Sequence, residues 1–336
     1  MRQYWHVLMT TITCAIIVGA MPMGRGPTYG EFPYAPALTR IHTAPRGSIG
    51  FTRPFCITLD GQGDLYVTDS GHARVVKLSP TGRLLATWRL GTVDANGNSL
   101  TGIAVDRQGN VYVADKQTQR IIKLSPNGQI FTSWSLAVTI GVAAGKWTGL
   151  DTAMPIWLAV DGQDNVYASY FDASQVLKFT SGGKPLARWG VIDASGNLGT
   201  GAAPGQFDHP TGLAVDRQGN VYVVDHRNGR IQKLSPSGKV LAVWGMLGSD
   251  PGQFTTPEGM AVDSKGNMYV DDVGNNRLQI LSPAGKPLAQ WPLGPSSPYQ
   301  DVAVDQQGNV YLTEHDNVPG YILKLSPTGH VLTEWR

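Results

Sequence analysis

The side chains able to move protons or hold metals are few: seven histidines and a scatter of carboxylates in 336 residues. His72, His226 and His315 each stand at or just after an acidic residue that ends an apolar run, and His209 precedes a proline. Three neutral imidazoles are enough to bind Zn²⁺, and His226, Glu314 and His315 together would make a general-base set for a lyase or hydrolase. No short ligand spacing links them, so solvated loop histidines are the plainer reading. No cofactor is expected; the alternative is a divalent metal ion. Glu258 and Asp301 add two carboxylates at the starts of matching apolar segments.

Most other carboxylates belong to a repeat. The motif AVDxxGN, with small changes, anchors at Asp60, Asp106, Asp161, Asp216, Asp263 and Asp305. A Tyr follows each anchor by six positions: Tyr66, Tyr112, Tyr167, Tyr222, Tyr269 and Tyr311. A Trp follows the first five by twenty-eight (Trp88, Trp134, Trp189, Trp244, Trp291), and Trp335 follows the sixth by thirty. A period of roughly 40 to 55 residues with a constant core is one supersecondary unit copied into an array. A residue type that recurs at one register is architecture by default, so chemistry is to be sought among residues that break the pattern.

Each copy reads as four short strands. In the second, "GIAVD" and "VYVAD" are β-branched and aromatic runs separated by "RQGN", whose Gly and Asn tolerate the reversal. "RIIKL" and "QIFTSW" follow, joined by "SPNG", where Pro presets φ and Gly closes the turn. One such sheet cannot bury both faces, but six packed around an axis can. Two residues before each anchor stand Thr58, Ala104, Ala159, Ala214, Ala261 and Ala303, small enough to crowd a central channel. The fold class is therefore all-β, a six-bladed β-propeller with four antiparallel strands per blade, spanning residues 47–336.

Formal net charge is +2 and no basic block occurs, so a nucleic-acid partner is not expected. Forty-one Gly and 22 Pro fit many tight turns. Residues 1–20 carry Arg2, an apolar stretch from Val7 to Ala20 and a small-residue end, the anatomy of an export signal cut after Ala20. The protein is thus expected to be secreted, periplasmic or on the cell surface rather than cytoplasmic. A membrane would be involved only if that segment stays attached. Residues 21–46 form a Pro/Gly-rich linker, in which Ala37 to His42 resembles a fourth strand able to close the ring; His330–Trp335 competes for that place. Of the two cysteines, only Cys56 would remain after cleavage, read as a small apolar side chain.

"GIAVDRQGNVYVADKQTQRIIKLSPNG" and "GLAVDRQGNVYVVDHRNGRIQKLSPSG" resemble the NHL-repeat family of six-bladed β-propellers. The resemblance implies that a strand-ending Asp and an Arg five residues later tie the second strand to the third: Asp69/Arg74, Asp115/Arg120, Asp225/Arg230 and Asp272/Arg277. The third copy departs, with Tyr170 and Gln175, and so does the sixth, with Glu314 and two extra residues before Tyr321. Amidating lyases similar to this repeat place zinc-binding His at the positions held here by Phe55, Thr101, Ile156, Thr211, Glu258 and Gln300, none of which is His. Lactonase-type propellers would use carboxylates at the level of Glu258 and Asp301, and streptogramin-type lyases a His with carboxylates on the same rim.

The turns between first and second and between third and fourth strands are short and stereotyped, so their rim carries little individuality. The other rim bears the varied connectors and spacers, where binding sites on rigid scaffolds are usually found. Expected there are Arg53, Phe55, Trp147 and Trp157; then Tyr170, Phe171, His209 and Thr211; then His226, Glu258 and Asp271; then Tyr299, Asp301, Glu314 and His315. The leading expectation is a monomeric, non-enzymatic binding module that holds a protein, peptide or glycan with Arg53, Trp157, Tyr170, Phe171, His209, His226, Glu258, Asp301, Glu314 and His315. The alternative is a lyase or hydrolase at the channel mouth.

Overall fold

The computed structural model describes residues 49–93, 99–135, 155–192, 198–294, 299–315 and 319–336. The expected signal segment, the linker with its Ala37–His42 strand, and Trp147 lie outside these residues. Among the described residues no helix is long and apolar enough to cross a membrane.

Six antiparallel sheets follow one another along the chain, each built from consecutive strands. Their first strands are Pro54–Leu59, Leu100–Val105, Pro155–Val160, Pro210–Val215, Pro257–Val262 and Tyr299–Val304. These neighbour one another in chain order, and the sixth returns to the first, which makes a closed six-bladed propeller. The third blade gains a fifth strand, Leu198–Gly199, paired with an elongated fourth strand, Pro185–Ile192. The six small residues Thr58, Ala104, Ala159, Ala214, Ala261 and Ala303 all line the central channel, as their size requires.

The repeated rows are structural. In the second blade Asp106 Oδ1 accepts from the amides of Gln108 and Asn110 (3.0 and 2.8 Å), and Oδ2 accepts from Tyr112 Oη at 3.1 Å. The same Tyr–Asp bond recurs at Tyr66, Tyr167, Tyr222 and Tyr311. Each of these tyrosines packs on the Trp of its own blade, for example Tyr167 on Trp189 at 5.7 Å between centroids. The Trp in turn covers the Gly of the SPxG-type turn in the next blade: Trp88 over Gly128, Trp134 over Gly183, Trp189 over Gly238 and Trp244 over Gly285. That Gly is required twice over, because its φ is positive and a Cβ would strike the indole.

Ring closure uses the same device. Trp335 of the last blade lies over Gly82 of the first. Thr313 Oγ1 donates to Phe55 O at 2.7 Å, and the Ile57 amide donates to Asp301 Oδ2 at 3.0 Å. The last blade takes its fourth strand from Val331–Trp335, and among the described residues no sheet is shared across the seam; backbone bonds from Ile49 N to Arg336 O (2.6 Å) and from Gly320 N to Phe51 O (3.1 Å) join the side-chain contacts in shutting the ring.

The Asp/Arg ties form in three blades, with Arg Nε to Asp Oδ2 at 2.6 Å for Arg74/Asp69, 2.7 Å for Arg230/Asp225 and 2.8 Å for Arg277/Asp272. The fourth expected pair does not form. Asp115 Oδ2 accepts from Thr118 Oγ1 at 2.7 Å, while Arg120 reaches outward to Ser133. A hydroxyl three residues on satisfies the carboxylate before the guanidinium can.

Candidate functional site

Six inner strands bring their first residues to the variable rim; below them a channel cavity of about 300 Å³ is lined by the later residues of each strand, with Trp157 and Asp301 at its rim-side end. The third residue of each inner strand runs Cys56, Gly102, Trp157, Gly212, Gly259 and Asp301. Three are glycines because each presses on the backbone of the next blade: Gly102 on Ile156–Leu158, Gly212 on Glu258–Met260, Gly259 on Gln300 and Asp301. The three departures from glycine, Cys56, Trp157 and Asp301, are all buried at the mouth.

His226 opens a one-turn 3-10 helix, His226–Asn228, between the second and third strands of blade 4. Asp225 pins that turn by accepting from the Asp208 amide (2.7 Å), Asn228 Nδ2 and Arg230 Nε. His226 Nδ1 lies 2.9 Å from Pro257 O and 3.3 Å from Glu258 Oε1, both on blade 5. A carbonyl only accepts, so Nδ1 carries the proton and Nε2 holds the lone pair. Burial lowers the His226 pKa against the opposing pull of the Pro257 carbonyl, with His209 and Arg227 lowering it further. The imidazole is therefore neutral at pH 7.

Glu258 is the complementary partner. Burial pushes its carboxyl up to about 8, so it holds a proton at neutral pH although its side chain keeps 21% exposure. Asp301 is raised to about 7, also by burial, against the Ile57 and Val302 amides, the Cys56 thiol and the Trp157 indole. The indole helps hold the charged form of Asp301 without closing a hydrogen bond of ordinary geometry. Asp271 is raised well above the carboxylate range, first by burial and then by the charges of Glu258, Asp272 and Asp301. Burial and the neighbouring Asp301 push the Cys56 thiol up, which leaves it un-ionised.

Two aromatic clusters frame these groups. Phe171 stands edge-on to both imidazoles, 4.6 Å from His209 and 5.6 Å from His226 between centroids. Phe55 lies 5.5 Å from Trp157 and 5.3 Å from His315. His209 takes a positive φ of 55° before Pro210, and its Nδ1 is 2.5 Å from Asp208 Oδ1. Arg53 holds the matching position before Pro54, also at φ 55°.

The structure thus gathers Phe171, His209, His226 and Glu258 on one side of the mouth and Trp157, Asp301 and His315 near Phe55. Seven expected rim residues are buried and not on display: Trp157, Tyr170, Thr211, Asp271, Tyr299, Asp301 and Glu314. Tyr170 is 1% exposed and packs between blades 2 and 3, and Glu314 is fully buried at the strand-ending position that Asp fills in four other blades. Both sit where a strand still points into the sheet interface, one residue short of the connector. The carboxylate beside His226 is Glu258, not Glu314. Among the described residues no three His, Cys, Asp or Glu side chains converge as a metal centre.

The family model of the NHL repeat matches residues 207–234, from Phe207 to Leu234. The match falls in the fourth blade. The chain is similar to a streptogramin B lyase structure (15% identity, 86% of this chain and 84% of the other, TM-score 0.60). It is also similar to virginiamycin B lyase from Staphylococcus aureus with quinupristin (12%, 87% and 87%, TM-score 0.60). A gluconolactonase from Xanthomonas campestris matches at 16%, over 82% of this chain and 86% of the other, with TM-score 0.56. At these identities the likeness concerns the fold. No curated protein matches in sequence.

Proposed function

We propose that this propeller acts on a small molecule at the channel mouth by proton transfer, as a lyase or hydrolase, with His226 as base and Glu258 as acid. The observation that carries this reading is the 3.3 Å contact between a neutral imidazole with an available Nε2 and a carboxyl that keeps its proton at pH 7. Two groups whose surroundings push their protonation in opposite senses are what acid–base chemistry near neutrality needs. His226 Nε2 takes a proton from the substrate, and Glu258 returns one to the departing atom. Phe171 packs against the imidazole and limits its rotation, while the Pro257 carbonyl fixes the tautomer. Fold neighbours named as lyases and a lactonase make the reaction class reasonable, without naming the substrate.

The test is turnover of lactone and cyclic depsipeptide panels followed by mass spectrometry. Opening of at least one ring by the native chain is expected, and His226→Gln should lower kcat by about 10²–10⁴-fold with an unchanged fold. Equal turnover by His226→Gln would overturn the assignment. A second reading, capture of a peptide or glycan without turnover, draws on the ring faces of Phe55 and Phe171, which would hold a planar group whether or not a proton moves. Binding that survives in a panel-wide absence of chemistry would favour it.

A further inference from the structure

The carboxylates of blades 5 and 6 are arranged in a way the acid–base pair does not need. Glu258 precedes Gly259, Asp271 lies across the bulged pairing of the first two strands of blade 5, and Asp301 presses on Gly259 from blade 6. A Cβ at Gly259 would meet both the Cα and Oδ1 of Asp301, so the missing side chain is what lets Asp301 lie against the first strand of blade 5.

Asp271 is the anomaly. In blades 1 and 6 the same register position holds Thr68 and Thr313, whose hydroxyls donate to the next blade at Thr101 O and Phe55 O, both at 2.7 Å. Asp271 makes no such bond, and its Oδ2 is buried with no hydrogen-bond partner. The side chain is 1% exposed. A polar atom buried without a partner costs roughly 1–3 kcal/mol, so its retention calls for a role such as strain, catalysis or a bound water or ion.

Among the described residues no cation is shown paired with these groups. Arg277, the guanidinium of this blade, is committed to Asp272, to Gln290 and to the carbonyls of Asp250 and Gln253. The ionisable groups around the three are His226 from blade 4, Asp272 from the same strand as Asp271, and Cys56 from blade 1. His226 is neutral, Asp272 is paired with Arg277 and the thiol is un-ionised. Beside these oxygens Trp157 and Phe55 offer ring faces. Aromatic faces attract cations, which suits an organic cation.

We propose that the ligand of this site carries an organic ammonium group, seated between Glu258, Asp271 and Asp301 and covered by Trp157. The proposal rests on the reading of the channel mouth as a small-molecule site, and adds the charge and class of its ligand. Binding then ionises carboxyls that are protonated in the free protein, so protons are released and affinity rises with pH.

Calorimetry with benzyltrimethylammonium, benzyl alcohol, benzoate and Ca²⁺ alone tests it, each at pH 6.0 and 8.5 in two buffers of different ionisation heat. The ammonium probe is expected to bind with a buffer-dependent heat of proton release and about 10-fold more tightly at pH 8.5. Asp271→Asn should weaken it about 10-fold while benzyl alcohol is unaffected; Glu258→Gln serves as a second variant should the first not fold. Equal binding of benzyl alcohol or benzoate, or stoichiometric Ca²⁺ that displaces the probe, would overturn the proposal. His226→Gln separates the two readings. Ammonium binding retained without any turnover sinks the enzyme and keeps the cation site, whereas His226-dependent turnover of uncharged substrates alone does the reverse.

Discussion

Trp335→Ala is expected to lower the unfolding free energy by about 3–5 kcal/mol, the usual cost of emptying a large core site. The reason is topological as much as volumetric. Trp335 is 3% exposed, stacks on Tyr311 at 6.1 Å and covers Gly82 of the first blade. Trp88, Trp134, Trp189 and Trp244 do the same between blades that the chain already links in sequence. At the seam of blades 6 and 1 there is no such link, so the contact bears the closure of a long loop. Denaturant unfolding measures the cost, and hydrogen exchange should show the Ile57 amide, which donates to Asp301 across that seam, losing protection first. A loss below about 1 kcal/mol, with Ile57 still protected, would mean that the seam is held by something else.

Raising the pH from 5 to 9 is expected to destabilise the protein, against the trend of most carboxylate-bearing folds. The sign follows from Glu258 and Asp301. Their folded pKa values, about 8 and about 7, lie above the unfolded values of 4.5 and 3.8, so the folded chain binds more protons throughout that window. The stabilisation is complete below the unfolded values and is lost as pH climbs through 7 and 8. For Glu258 the change is on the order of 3 kcal/mol once its partly solvated edge is allowed for. Glu258→Gln should flatten the slope and be the more stable protein at pH 9. Unfolding curves at pH 5, 7 and 9 for both chains check this; identical slopes would contradict it.

The fold was legible in the sequence because its determinants are local and periodic. The Asp, Tyr, Trp and turn-Gly rows each recur at fixed offsets, and each proved to be one contact repeated around the ring. The site was legible only in its rim. The row Cys56, Gly102, Trp157, Gly212, Gly259, Asp301 is visible once the strands are aligned, and its three non-glycine members mark the mouth, but nothing in one dimension says that this row faces the next blade. The His226–Glu258 contact joins separate blades, so it depends on how far each sheet is rotated about the axis. His226 was expected among the chemistry-bearing residues together with Glu314 and His315; the carboxyl that approaches it in space is Glu258, which no spacing along the chain announces. Tyr170 and Glu314 were placed one residue too far out, since burial at a strand end turns on side-chain direction rather than on position along the chain.

The titration of the Glu258 carboxyl, followed by carbon NMR in the native chain with Glu258→Gln as the assignment control, reaches the central claim most directly. A midpoint near 8, with the His226 imidazole neutral and its Nδ1 protonated throughout, is the predicted result. A midpoint near the ordinary 4.5, with His226 charged below neutrality and paired to it, would leave a common surface ion pair where an acid and a base are required.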